Sequence, residues 1–150
     1  MIVVKKMQVE EIDLAINLFG YYRQAAGITD DRYDRDRVLM TVREYNIRPN
    51  LFFRLAWRGQ RPVGLVGAFV SQDPVESEQT VTIQFCYLLE EFADLENYEL
   101  LLDTVSDWAE QLKCSAIRAL DIGDHLSKIR WVYEQLDFDP VTVTIMNREL

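Results

Sequence analysis

Few residues in this chain are equipped for chemistry, and their placement is informative. There is one histidine, His125, with Asp121 and Asp124 beside it at a strand-to-helix turn. One imidazole and two carboxylates can be drawn as a metal site. At a helix start the same residue types ordinarily cap the helix and stay solvated, so no metal is expected. A lone histidine also leaves no second candidate for Ser-His-Asp or Cys-His schemes. No P-loop and no dinucleotide fingerprint occurs. Cys86 and Cys114 are isolated in apolar surroundings, which suits buried reduced thiols and neither a disulfide framework nor a zinc site. Carboxylates are the remaining reactive groups. From residue 62 to residue 112 there is no lysine or arginine but there are eleven acids. Glu90, Glu91, Asp94 and Glu96 crowd one glycine-free turn. Turns of this kind hold phosphate through glycine-freed amides and a helix dipole, and here four carboxylates would repel the anion and compete for those amides.

Those groups need a framework, and 150 residues with 49% hydrophobic content make one globular domain spanning residues 1–150. A net charge of −9 argues against nonspecific binding to nucleic acid or an anionic membrane. Nothing near the start reads as a signal peptide, and no apolar run approaches the ~20 residues of a membrane span. A soluble cytoplasmic protein is expected.

The pattern along the chain predicts a strand over 2–7 and a helix from Val9 through Ile12, Ile16, Phe19 and Tyr22, stopped at Gly27. A second helix covers 34–45. Strands over 51–57 and 63–71 form a hairpin whose loop, 58–62, is longer than two residues. A strand over 80–89 leads into a strongly amphipathic helix through Tyr98, Leu101, Leu102, Val105, Trp108, Ala109 and Leu112. A strand over 116–122, a helix through Leu126, Ile129, Val132, Tyr133 and Leu136, and a closing strand over 141–149 complete the order β-α-α-β-β-β-α-β-α-β. This is an α/β (α+β) chain: a mixed, mostly antiparallel sheet with helices on both faces and one right-handed parallel crossover.

That order, with local motifs, resembles the GCN5-related N-acetyltransferase (GNAT) superfamily. Residues 53–64, FRLAWRGQRPVG, look like the family's second and third strands. Trp108-Ala109 followed by Ile117-Arg118-Ala119-Leu120 resembles its third helix and fifth strand. Tyr133-Glu134-Gln135-Leu136-Asp137-Phe138 looks like its "Y-E-x-L-G-F" helix end, and residues 147–150 like its closing strand. The small size, the 30–50 helix and the abrupt C-terminus are similar to GNAT-like proteins encoded by bacteriophages.

The resemblance implies acetyl-CoA in a splay between strands four and five, its pyrophosphate on a glycine-rich loop before the third helix. The matching stretch, 93–99, has neither glycine nor arginine. Tyr133 is the position that protonates the departing thiolate in active relatives, and a phenol can do this without a charged state. Backbone groups of Tyr87, Leu88 and Leu89 are placed to hold the pantetheine arm. Glu76, Glu78, Gln84, Tyr87 and Glu90 lie where a general base occurs. Asp137 replaces the usual glycine after the fourth helix, so loss of its left-handed cap is expected. Two readings follow. The first is a GNAT-fold module without ordinary CoA chemistry or cofactor, binding a protein partner or itself, with a phage-associated or virion component as one form. The alternative is an active acetyl-CoA-dependent N-acetyltransferase acting on a cationic amine.

Overall fold

The computed structural model describes residues 1–28, 34–72, 75, 77–120, 123–139, 146 and 148, with the side chains of 123–128 excepted. Strands β1 (Val3–Lys5), β2 (Leu51–Arg58), β3 (Arg61–Gln72), β4 (Gln79–Leu88) and β5 (Ala116–Ala119) lie side by side in sequence order. All neighbours are antiparallel except β4 and β5, which the helix between them joins in parallel. Helices α1 (Ile12–Ala25), α2 (Arg35–Ile47), α3 (Leu95–Gln111) and α4 (Gly123–Gln135) supply the outer layers. The expected closing strand over 141–149 falls on residues outside this description.

The sheet has a separate apolar core on each face, because alternate side chains of one strand point to opposite sides. Phe53, Leu55, Trp57, Leu65, Phe85 and Tyr87 pack with Ala15, Leu18 and Tyr22 of α1 and Val42 of α2. Phe52, Val66, Ile83, Cys86 and Leu88 pack with Tyr98, Leu101 and Val105 of α3 and Ile129, Val132 and Tyr133 of α4. The α3 stripe expected from spacing is mostly buried, at Tyr98, Leu101, Leu102, Val105 and Ala109, while in α2 only Val42 of the expected stripe is fully buried.

The hairpin differs from expectation. Arg58 pairs directly with Arg61, leaving only Gly59 and Gln60 in the loop. Gly59 has φ 60°, the conformation that lets a two-residue turn match the twist of its strands, and Pro62 is accommodated inside β3 beside a register shift.

The end of α4 corrects a second expectation. Asp137 adopts φ 65°, and the Phe138 N–H donates to the Tyr133 carbonyl at 2.9 Å, so the left-handed cap is present without glycine. Lys113 closes α3 the same way at φ 57°, with the Cys114 N–H on the Ala109 carbonyl at 3.0 Å. Lysine gains nothing there from its exposed side chain and bears the left-handed strain. Lys113→Gly is expected to stabilise the fold by a net ~0.5–1 kcal/mol, after the greater freedom glycine gives the unfolded chain. Thermal melting should show a rise of about 2 °C.

Candidate active site

β4 carries the site, and one extra residue shapes it. Gly67 pairs with Phe85 and Ala68 with Ile83, so Gln84 is left over as an exposed bulge. The bulge shifts the alternation by one. Val81 and Ile83 face the α3/α4 core before it, Cys86 and Leu88 face that core after it, and Phe85 and Tyr87 turn to the α1/α2 core.

At the same point β4 leaves its parallel neighbour. Pairing with β5 runs from Thr80–Ala116 to Ile83–Ala119, and the Leu120 N–H adds a bond to the Ile83 carbonyl at 2.9 Å. β5 ends there while β4 continues to Leu88. The Leu89 N–H donates to the Val63 carbonyl of β3 at 2.8 Å. By alternation Leu88 turns its N–H and C=O away from β3, toward the side on which β5 has ended. Of the three backbone positions anticipated for a pantetheine arm, Leu88 turns its peptide groups off the β3 ladder, whereas those of Tyr87 and Leu89 turn toward β3. Tyr133 is buried on the same side of the sheet as Cys86 and Leu88, its ring 5.2 Å from that of Phe138.

On the opposite face a cleft of about 750 Å³ opens beside the end of β4. Tyr87, Leu89, Glu90 and Glu91 line one wall, Leu14, Asn17, Leu18 and Tyr21 of α1 another, and Arg61 and Pro62 of the hairpin the rim. The Tyr87 ring lies 5.8 Å from Tyr22. Burial, and then the proximity of Tyr21 and Glu90, raise its phenol above the ordinary 10.0, so it stays protonated well into alkaline solution. Since the folded value lies above the unfolded one, its contribution to stability is complete below about pH 10 and is lost as the pH climbs through the folded value.

The other anticipated groups are scattered. Gln84 is exposed on the bulge and, being an amide, is not a proton acceptor of the kind required. Glu78 is exposed at the far end of β4. Glu76, Asp121 and the side chains of Asp124 and His125 fall outside the described residues. Among the described residues no group of three histidine, cysteine or acidic side chains is arranged to hold a metal. Leu14, Leu18 and Tyr21 went unanticipated, although they form a second apolar stripe at i, i+4 and i+7 beside the core stripe of α1. Arg61 was also unexpected; it reaches Glu91 at 2.8 Å and lies over the Phe92 ring at 5.8 Å.

The turn between β4 and α3 is tied up internally. A short 3-10 turn, Glu90–Phe92, is held by the Phe92 N–H on the Leu89 carbonyl at 2.8 Å. Asp94 caps α3, taking the Asn97 N–H at 2.8 Å, while the Asn97 side-chain amide donates to the Phe92 carbonyl at 3.0 Å and to the other Asp94 oxygen at 3.3 Å. No residue of this turn has positive φ. The alternating backbone that forms an anion nest is therefore absent from it.

This mixed sheet, bulged and parted at the same point of β4, has the fold of the GNAT acetyltransferases. Aminoglycoside N-acetyltransferase AAC(6')-Iy, solved with the bisubstrate analogue CoA-S-monomethyl-acetylneamine, superposes with a TM-score of 0.81 at 17% identity, over 100% of this chain and 99% of that one. A ribosomal-protein-alanine N-acetyltransferase from Brucella melitensis biovar Abortus 2308 gives 0.78 at 16% identity, over 99% and 100%. A protein from Clostridium acetobutylicum described as a predicted acetyltransferase, solved with acetyl-CoA, gives 0.84 at 12%, over 99% and 96%. At these identities the likeness is one of fold. No protein-family model and no curated protein matches the sequence. No helix among the described residues is long and apolar enough to cross a membrane.

The parted edge of β4, with the Leu88 peptide groups turned toward it, suits the amides of a pantetheine arm. The self-capped, acidic start of α3 does not suit the diphosphate.

Proposed function

We propose that this chain is an N-acyltransferase that takes an acyl group from a pantetheine thioester such as acetyl-CoA and delivers it to a cationic amine. The observation carrying this reading is that, among the described residues, β4 runs on to Leu88 beyond its last pairing with β5 at Ile83–Ala119, past the Gln84 bulge, in a fold whose solved relatives include proteins holding CoA or acetyl-CoA. It favours the alternative reading over a module devoid of acyl transfer.

When bound, the donor supplies an activated carbonyl and a sulfur leaving group. Leu88 would hold the pantetheine arm through its backbone. The ammonium would give one proton to water before it attacks the carbonyl carbon; as the C–S bond breaks, Tyr133, under that strand, would give a proton to the departing sulfur and recover, by way of water, the second proton shed by the acylated nitrogen. Glu90, with the faces of Tyr21 and Tyr87, would draw an ammonium group into the cleft. Arg61 is held by Glu91, leaving Glu90 as the acid facing the incoming charge.

The test is amine-dependent thiol release from acetyl-CoA. Glu90→Gln should raise the KM for an aliphatic diamine about tenfold, in line with one partly exposed charge contact, and leave kcat within about twofold. An equal effect on a neutral amine would remove Glu90 from acceptor recognition. The internally capped turn favours a second reading, a binding module, whose partner would meet the exposed carboxylates of α3 at Glu96, Glu99, Asp103 and Asp107. Absence of turnover with every amine and donor would select it.

A further inference from the structure

We infer that the site recognises its acyl donor by the pantetheine arm alone, so that the donor class is pantetheine thioesters, with or without a nucleotide. This rests on the acyltransferase reading above and specifies its donor. Three observations carry it. The place where a diphosphate would meet the start of α3 is taken by the Asp94 carboxylate, which accepts the Asn97 N–H at 2.8 Å. The cap is braced a second time by the Asn97 side chain on the Phe92 carbonyl and on Asp94, so it closes on itself without a ligand. Among the described residues, the turn and the first helical turns of α3 (90–99) carry Glu90, Glu91, Asp94, Glu96 and Glu99 and no cation of their own, and Arg61, which reaches this turn from the hairpin, is already 2.8 Å from Glu91. A nucleotide diphosphate would therefore enter a negative field and find the end of the helix already capped. The parted edge of β4 asks for no charge. The peptide groups of Leu88 match the uncharged amides of pantetheine, and nothing in that contact depends on the adenosine end.

Ordinary anion recognition weakens as salt is added. Here the sign reverses, because screening relieves repulsion. Calorimetric titration of the whole protein with S-acetyl-pantetheine and with acetyl-CoA should give dissociation constants within about threefold of one another, or in favour of pantetheine, at low salt. The acetyl-CoA constant should tighten as salt rises while the pantetheine constant holds still. Asp94→Gly removes the competing carboxylate, and glycine is tolerated at a helix start. It should tighten acetyl-CoA about tenfold and leave S-acetyl-pantetheine unchanged. Asp94→Asn keeps an acceptor for the Asn97 N–H while losing the charge, and should give a smaller gain, which covers the case of a poorly folding glycine variant. Acetyl-CoA binding ten or more times tighter than pantetheine in the wild type, and weakening with salt, overturns the inference while leaving the acyltransferase reading intact. Binding of neither donor overturns both.

Discussion

Tyr133→Phe is expected to lower the rate of acyl transfer about 100-fold while leaving donor affinity and the fold nearly untouched. Only the hydroxyl is lost. The ring stays, 6% exposed, against Phe138 and beneath Cys86 and Leu88 of β4, so the packing that orders this part of the sheet is kept. Loss of one buried hydroxyl costs ~1 kcal/mol, which in a chain of this size lowers the melting temperature by about 3 °C. Transfer depends on the hydroxyl differently, because the departing sulfur needs a proton as its bond to the acyl carbon breaks. A thioester with a more acidic thiol leaves without that help, so the variant's deficit should shrink with such a donor. A Tyr133 that merely packs would lose less than threefold with either donor, and steady-state rates with the two thioesters decide between these outcomes.

Gly64→Ala should be strongly damaging, because it strains the main chain beside the site. A Cβ at this position would lie 2.5 Å from the Tyr87 carbonyl oxygen and 2.5 Å from Cδ2 of Leu88, with the Leu88 Cα at 3.3 Å. The carbonyl is main chain in the β3–β4 ladder and cannot swing aside as a side-chain tip could. The strands must move apart where Leu88 turns its peptide groups toward the donor opening. A loss of ~3 kcal/mol is expected, the upper part of the range for overpacking, with a melting temperature about 8 °C lower. Donor affinity should fall at temperatures where the variant is still folded. Gly20→Ala is the control. It lies within α1, nothing stands within 4 Å of its added Cβ, and it should stabilise the chain by up to ~1 kcal/mol. Equal melting temperatures for the two variants would mean that β3 and β4 approach less closely than the ladder requires.

The layers of the fold were readable because they depend on local periodicity. Tyr98, Leu101, Leu102, Val105 and Ala109 repeat at helical spacing and are all buried against the sheet. Strand ends and loop lengths were less accessible. The hairpin run Arg58-Gly59-Gln60-Arg61-Pro62 reads as a long loop, since proline removes an amide, yet Gly59 supplies the positive φ that lets Arg61 pair across from Arg58. The Gln84 bulge leaves no mark in composition. Its trace is two apolar alternations on β4 that fall out of step, with Val81 and Ile83 on one phase and Cys86 and Leu88 on the other. Asp137 shows the limit of reading caps by residue type, because aspartate can enter the left-handed region at a modest cost.

The site was legible only on its β4 side. Tyr87 and Glu90 stand three residues apart in the sequence, but Tyr21 and Arg61 reach the cleft from α1 and the hairpin, and contacts over such separations leave no local pattern. The acidic turn was recognised as poor for phosphate. Its structure adds the reason that matters for binding, which is that Asp94 and Asn97 close the start of α3 upon themselves.

For acyl transfer the donor must lie along the end of β4 beyond its last pairing with β5. The most direct measurement is a titration of isotope-labelled protein with S-acetyl-pantetheine, following backbone amide resonances. The amide of Leu88 should shift in a saturable way and exchange more slowly with solvent, with ring resonances of Tyr133 moving in step, while the Leu89 amide, bonded to Val63, stays nearly still. Saturable shifts confined to other elements, or no shift along β4 at millimolar donor, would contradict it.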